Sequence, residues 1–385
     1  MYEPLDPHIL SEYNRVRHTP NTEIFCHAPF TSMNFSQDGN ASACCYNRVH
    51  ALGMYPTNSV EEMWYGPKAN ELRAHLRANI LPAGCDKCWH QLHSRNFAGV
   101  RARGFDYVSS PAYEERNGEY VAKPTMLEFE ISNVCNLECT MCNGFFSSLI
   151  RKNREKLPAL HNPYDEQFVT QLEPFLSTLR EAKFLGGEPF LVSTYYQIWD
   201  RLIRLNPEAL LAVTTNGTIL NDRVKKTLHE LKFGIVVSVD SLEQGTYEGI
   251  RVNASFITMM KHVEYFKEYT AKRQTTLSFA VCPMQQNWRE MPKFLKFCND
   301  NGISLYFNTV TWPRENALMY LSRSELNEVV RYLDSYNPLA GGKKSRLIPS
   351  SDPVLEDLRK LRADNELAYD GLVHHVMHYR DHPAE

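Results

Sequence analysis

Read for the spacing of its apolar positions, the chain falls into three stretches with different rhythms. From about residue 125 to 310, short apolar runs rich in β-branched and aromatic residues alternate with longer segments whose apolar residues recur every three or four positions. The runs at 125–132, 182–185, 210–215, 234–238, 276–281 and 303–310 are predicted strands. The segments at 143–156, 165–180, 193–205, 221–231, 255–272 and 287–301 are predicted helices. Such alternation implies parallel strands joined by right-handed crossovers, so the predicted class is α/β. Six units suit a partial (β/α)6 TIM-like barrel as well as an open sheet, and periodicity alone does not separate the two.

The flanks follow other rules. Residues 25–96 are rich in Cys, Asn, Ser and Gly, with a hairpin signal at Ser36-Gln37-Asp38-Gly39-Asn40. Helical spacing runs from Ser59 to Ile80 and breaks at Gly66-Pro67, and Ser59 with Glu62 forms a capping box. The expected organisation is a leader at 1–24, a small cysteine-rich domain at 25–96, a linker at 97–124, the strand–helix core at 125–312 and a helical C-terminal extension at 313–385. Within the extension, 322–336 has a helical pattern, and the Gly/Lys/Ser/Pro stretch at 341–353 is expected to be mobile.

Composition narrows the classes of function. Of the 385 residues, 43% are hydrophobic and 23% charged, ordinary for a globular protein with a sizeable core. A net charge of −3 leaves no electrostatic footprint for nucleic acid or an anionic membrane. No basic, apolar signal segment opens the chain, and no apolar run is long enough to span a bilayer. A reducing, cytoplasmic location is expected, where paired cysteines point to metal before disulfide.

The ten cysteines are unevenly placed. Cys135, Cys139 and Cys142 read Cys-Asn-Leu-Glu-Cys-Thr-Met-Cys directly after the first core strand. Chance would place a given three-cysteine pattern about 0.007 times in such a chain. Thiolates this closely spaced wrap an iron–sulfur cluster, and three of them leave one iron of a 4Fe–4S cube open to another ligand. Structural zinc or buried thiols are the alternatives, but no fourth Cys or His follows in the loop.

In parallel α/β folds, sites gather on the loops that follow the strands. Gly186-Gly187-Glu188-Pro189 follows the second predicted strand, Thr214-Thr215-Asn216-Gly217 the third and Ser238-Val239-Asp240 the fourth, while Cys282 ends the fifth. Singly, each motif reads as a turn or a cap; their succession at one rim is what points to a site.

With these motifs, the chain resembles a radical S-adenosylmethionine (SAM) enzyme over residues of about 125–310. That resemblance implies a partial (β/α)6 barrel in which Cys135, Cys139 and Cys142 ligate a 4Fe–4S cluster and Met141 packs by the adenine of SAM. It further implies that Gly186, Gly187 and Glu188 serve the methionine amino group, that Asn216 and Ser238 lie near the ribose and carboxylate, and that Arg251 meets the carboxylate. One electron from the cluster, delivered by a donor such as flavodoxin or ferredoxin, would cleave a C–S bond of SAM. The resulting 5′-deoxyadenosyl radical would take a hydrogen atom from an unactivated carbon.

The N-terminal segment is similar to the SPASM or twitch auxiliary-cluster domains. Cys26, twelve residues, Gly39, four residues and Cys44 match the first half of their signature, and Cys85-Asp86-Lys87-Cys88 adds a Cys-x-x-Cys. The resemblance implies that Cys26, Cys44, Cys85 and Cys88 hold a second 4Fe–4S cluster, structural zinc being the alternative. Such domains normally follow the barrel, and the cysteines of a further cluster are missing, so the domain is twitch-like. Cys45 reads as a leftover buried thiol, and His27, His90 and His93 receive no role. Cys282 reads first as an ordinary buried cysteine and second as a hydrogen-atom donor to a substrate radical.

The resemblance further implies hydrogen abstraction from a peptide or peptide-like substrate, ending in a cross-link, an epimerised centre or an oxidised side chain. A dehydrogenase or epimerase of a small amino-sugar or amino-acid metabolite is the alternative. A non-catalytic iron–sulfur or zinc protein is the other class, and the glycine-rich and Thr-Thr-Asn-Gly motifs argue against it.

Overall fold

Caps and turns decide where the elements begin and end. The computed structural model describes residues 4–17, 23–93, 95, 97, 100–106, 115–116, 119–120, 122–343 and 353–382. In chain order it contains α1 (Pro7–Asn14), α2 (Ala28–Thr31), β1 (Ser32–Ser36), β2 (Asn40–Ser42), β3 (Gly53–Met54), α3 (Val60–Tyr65), α4 (Pro67–Arg77) and α5 (Asp86–His93). The strand–helix series follows with β4 (Met126–Glu130), α6 (Ser148–Asn153), α7 (Glu166–Leu176), β5 (Glu181–Phe184), α8 (Ser193–Leu205) and β6 (Leu210–Thr215). It continues through α9 (Asp222–Glu230), β7 (Lys232–Ser238), α10 (Gln244–Ile250), α11 (Phe256–Arg273), β8 (Leu277–Val281), α12 (Met291–Asn301) and β9 (Ser304–Phe307). Two helices, α13 (Arg323–Ser335) and α14 (Pro353–Asp381), complete the chain. The architecture is α/β, the strands β4 to β9 alternating with helices along the chain.

The chain divides into two compact units. The first comprises Met1–Asn133, Leu160–Ala212 and His229–Lys232. Here β4 pairs in parallel with β5 on one side and, less expectedly, with β1 on the other, in register from Ser32↔Met126 to Ser36↔Glu130. The cysteine-rich segment thus donates a strand to the core sheet, and β2 and β3 continue it antiparallel. The hairpin between β1 and β2 turns at Gly39, whose φ of +91° no side chain adopts readily and whose added Cβ would lie 2.4 Å from the Tyr55 carbonyl. Along one face of this sheet Phe35, Phe129 and Phe184 stack at 5.6 and 5.2 Å, and Phe168 and Trp199 cover them edge-on. Each such pair adds about 0.5–1.5 kcal/mol beyond the area it buries. The capping box holds, with Ser59 Oγ accepting the Glu62 N–H at 3.1 Å and Glu62 accepting the Ser59 N–H at 2.8 Å.

The second unit comprises Val134–Ala159, Val213–Leu228 and Phe233–Glu385. In it β7, β8 and β9 pair in parallel. Its last helix, α14, runs 29 residues, a length the sequence pattern did not fix. The expected helix at 143–156 shrinks to α6 because Asn143 Oδ1 takes the Phe145 N–H at 2.9 Å and turns the chain, leaving Ser147 as the N-cap. The expected mobile stretch at 341–353 falls largely outside the described residues, as does the middle of the linker at 97–124. No helix among the described residues is long and apolar enough to cross a membrane.

Candidate functional site

In the first unit, three separate pieces of chain bring four cysteines together. Cys26 precedes α2, Cys44 follows β2, and Cys85 and Cys88 open α5. Cys26 is buried and the other three partly so. Burial raises the Cys26 thiol well above its usual value, and the sulfurs of Cys44, Cys88 and Cys85 add to the shift, which places all four within electrostatic reach. Burial likewise pushes Cys44 and Cys85 up to about 12. Thiols this hard to ionise become thiolates when a metal centre takes the proton's place.

The backbone is already arranged for sulfur. The Ala28 N–H points at Cys26 Sγ (3.4 Å), the Asn47 N–H at Cys44 Sγ (3.4 Å) and the Asn47 side-chain amide at Cys85 Sγ (3.3 Å). Such donors stabilise cluster thiolates and set a cluster's potential. Among the described residues no three His, Cys, Asp or Glu side chains converge as ligands of a single ion would. Four thiols with amide donors already turned toward three of the sulfurs are a donor set that fits a cluster, whose sulfur ligands bind different irons.

Around these cysteines stand groups that sequence reasoning left unassigned. Asp106 sits buried between Arg17 and His27, its carboxylate oxygens 2.5 and 3.0 Å from the guanidinium and 3.0 Å from His27 Nδ1. Cys45 neighbours Glu128 and Arg101, and burial is the main cause of its raised thiol pKa. Arg101 in turn donates to Glu128 at 2.8 Å. A buried carboxylate in the middle of a core strand is not announced by periodicity.

Gly186 and Gly187, also in this unit, adopt φ of +80° and +53°. A Cβ on Gly186 would lie 2.8 Å from the Ser132 carbonyl, so the turn lies flush against the end of β4. Glu188 is fully buried and accepts the Phe190 N–H at 3.2 Å, capping a short 3₁₀ turn. Tyr195 locks the same strand ends, its hydroxyl donating to the Leu185 carbonyl (2.6 Å) and accepting the Ile131 N–H (3.2 Å).

In the second unit, Cys135, Cys139 and Cys142 share one loop, with Cys139 buried and the others partly so. Hydrogen bonds hold this loop along its length. Ser148 Oγ accepts the Cys135 N–H (3.1 Å), Ser147 Oγ donates to the Leu137 carbonyl (2.7 Å), and the N–H groups of Glu138 and Thr140 reach the carbonyls of Val252 (3.1 Å) and Ile250 (2.9 Å). Asn216 donates to Asn136 Oδ1 at 2.9 Å, so the loop after β6 is bonded to the cysteine loop. Burial raises the thiols of this neighbourhood, taking Cys142 up to about 12 and moving Cys139 and Cys282 in the same direction.

Arg251 is buried and lies 2.7 Å from Asp240 Oδ2 and 3.8 Å from Cys139 Sγ. Its Nε is buried without a hydrogen-bond partner among the described residues. Asp240 also accepts the Cys282 N–H at 2.8 Å, while Asn287 donates to the carbonyls of Asp240 (2.6 Å) and Cys282 (3.0 Å). Met141 and Cys282 pack against one apolar group formed by Ile250, Met284, Val310 and Ala317. Ser238 ends β7, opposite Ala280.

Residues 129–298 match the model of the radical SAM superfamily, and residues 26–89 match that of the SPASM iron–sulfur cluster-binding domain. The chain thus carries a radical SAM domain and a SPASM domain, whose cofactors are 4Fe–4S clusters, one for SAM cleavage and one auxiliary, and SAM itself. Among curated radical SAM relatives, a GTP 3′,8-cyclase of Clostridium botulinum (strain Okra / Type B1) is 22% identical over 186 residues, covering 48% of this chain and 52% of the relative. The chain thus spans about half the length of that relative. An S-adenosylmethionine-dependent nucleotide dehydratase of Lacinutrix mariniflava is 26% identical over 132 residues, covering 34% of this chain and 26% of the relative. Among solved structures, Streptococcus suis SuiB bound to S-adenosylmethionine is 16% identical with a TM-score of 0.41, covering 69% of this chain and 56% of that one.

Proposed function

We propose that this radical SAM enzyme abstracts a hydrogen atom from a peptide or peptide-like substrate, producing a cross-link, an epimerised centre or an oxidised side chain. The observation that carries the reading is the SPASM match over residues 26–89 together with the four thiols gathered there, because enzymes with such domains most often modify peptides. When bound, the cluster and SAM supply a primary carbon radical able to attack an unactivated C–H bond.

The chain's own residues have defined parts in this reading. Cys135, Cys139 and Cys142 hold the open-iron cluster, and Cys26, Cys44, Cys85 and Cys88 hold the auxiliary one. Arg251 keeps a cation beside Cys139, and Asp240 orients it. Gly186, Gly187, Glu188, Asn216 and Ser238 serve SAM, with Met141 offering an apolar surface. Burial keeps the Cys282 thiol in its S–H form, the form able to give up a hydrogen atom. A flavodoxin or ferredoxin supplies the electron, and the cytoplasm is the expected location.

A second reading, a small-metabolite dehydrogenase or epimerase, draws on the relatives whose names specify nucleotide chemistry. Anaerobic turnover with SAM and a reductant, against a library of unmodified peptides and a panel of nucleotides, amino sugars and amino acids, separates the two. A mass change confined to peptides, in step with 5′-deoxyadenosine formation, is the expected result; a change confined to the small molecules removes the peptide reading.

A further inference from the structure

Within the second unit, a cavity of about 310 Å³ lies between β9 and α14, lined by Tyr306, Phe307, Val310, Leu372 and Val376 among others. A dry cavity of about 150 Å³ accepts benzene, so this one has room for a large side chain together with its backbone. Apart from Pro283, its lining comes from outside the segment that matches the superfamily model. The cavity therefore lies almost wholly outside the segment that carries the shared radical chemistry.

The backbone of β9 supplies the recognition. Strand residues alternate the direction of their N–H and C=O groups, and the Asn308 N–H pairs with the Val281 carbonyl at 2.8 Å, so even-numbered positions face β8. Odd-numbered positions face the opposite edge, where β9 is the last strand of its sheet. On that edge the Asn365 side-chain amide behaves as a strand residue would. Its Oδ1 accepts the Leu305 N–H (2.6 Å) and its Nδ2 donates to the Ile303 carbonyl (2.9 Å). The next outward-facing backbone groups along the same edge are the Leu305 carbonyl and the N–H and carbonyl of Phe307, which lines the cavity.

The polar groups of the cavity carry no formal charge. His375 Nε2 is bonded to Thr309 Oγ1 (3.1 Å) and the Tyr379 hydroxyl (2.6 Å), and burial holds its ring below the usual histidine value. Among the described residues no Asp, Glu, Lys or Arg belongs to the lining. Tyr306 is electrostatically coupled to Cys282, and Val310 belongs to the apolar group against which Met141 and Cys282 pack. The cavity is thus continuous in packing with the cysteine loop.

We propose that this cavity is the substrate-docking site, where an extended, uncharged peptide segment adds to the edge of β9 beyond Asn365. Main-chain bonds to Phe307 would give affinity, and alternate side chains would enter the cavity or turn to the Tyr306 side, near Cys282. The inference rests on the peptide reading above and specifies how the peptide is held.

The test uses the full-length, cluster-loaded protein without SAM. The probe is a fluorescent, end-blocked heptapeptide of alternating threonine and valine with a central phenylalanine, alongside an analogue N-methylated at alternate residues. Gly371 lines the cavity, and a Cβ placed there would meet nothing within 4 Å, so Gly371→Trp fills the space and Gly371→Ala controls for folding. Expected are at least about fivefold slower hydrogen exchange at the Phe307 and Thr309 amides with the peptide, no such slowing with the analogue, and about tenfold weaker binding to Gly371→Trp only. Equal affinity of peptide and analogue, equal affinity of the Trp and Ala variants, or no saturable binding up to about 1 mM would overturn it. Peptide modification by an enzyme whose β9 amides stay unprotected sinks the docking site and leaves the peptide reading standing. Protected β9 amides in an enzyme that modifies only small metabolites would overturn both the peptide reading and the assignment of the edge as a substrate site.

Discussion

The two cysteine sites are built by opposite means. The triad at 135–142 sits on one loop, tied by hydrogen bonds at Cys135, Leu137, Glu138 and Thr140 to α6 and the end of α10. The N-terminal set draws on three segments between positions 26 and 88, with the amides of Ala28 and Asn47 turned toward sulfur. A loop held by its scaffold can keep its shape whether or not a cofactor is bound. Ligands gathered from distant segments couple their cofactor to the folding of the whole segment. The comparison therefore predicts a working site that loses chemistry when altered, and an auxiliary site that loses stability.

The largest expected effect divides the two directly. Cys139→Ala should lower 5′-deoxyadenosine formation at least about a thousandfold with little change in melting temperature. Cys85→Ala should cut bound iron from about eight to about four per chain and lower the melting temperature, while part of the uncoupled SAM cleavage survives. Iron analysis, thermal unfolding and product quantification on the same preparations check both, and a Cys139→Ala protein that cleaves SAM normally would break the contrast.

Next in size is the ion pair behind the loop. Asp240→Asn leaves the Arg251 guanidinium buried without its counter-charge, which destabilises by about 3–5 kcal/mol where no other partner is found. Denaturant unfolding measures that loss, and a change below about 1 kcal/mol would show that Arg251 is held by something other than Asp240. The smallest effect belongs to Asn47→Ala, which removes the amide at Cys85 and the acceptor of the His50 N–H. A loss of about 1 kcal/mol per bond is expected, with a lower auxiliary-cluster potential by redox titration.

Much of this organisation is legible in the sequence because its signals are local. Strand alternation places β4 to β9 within a few residues, the capping box at Ser59 is found as read, and the Ser36–Asn40 hairpin turns at the glycine that permits it. What escapes is non-local. The parallel pairing of β1 with β4 joins residues some ninety positions apart, and no period in either strand encodes its partner. The Asp106 clasp on Arg17 and His27, and the placement of Glu128 beside Arg101 and Cys45, likewise depend on which chain segments meet. Arg251 is singled out by the sequence, but its bond to Asp240 is not.

Asp106 reaches both Arg17, near the start of the chain, and His27, the residue beside Cys26. Proteolytic trimming that removed Arg17 would take the guanidinium from a sequestered carboxylate, and the disturbance would sit next door to a sulfur donor. Loss of cofactor following clipping at this end would then reflect electrostatics transmitted over one peptide link, without any ligand having been touched.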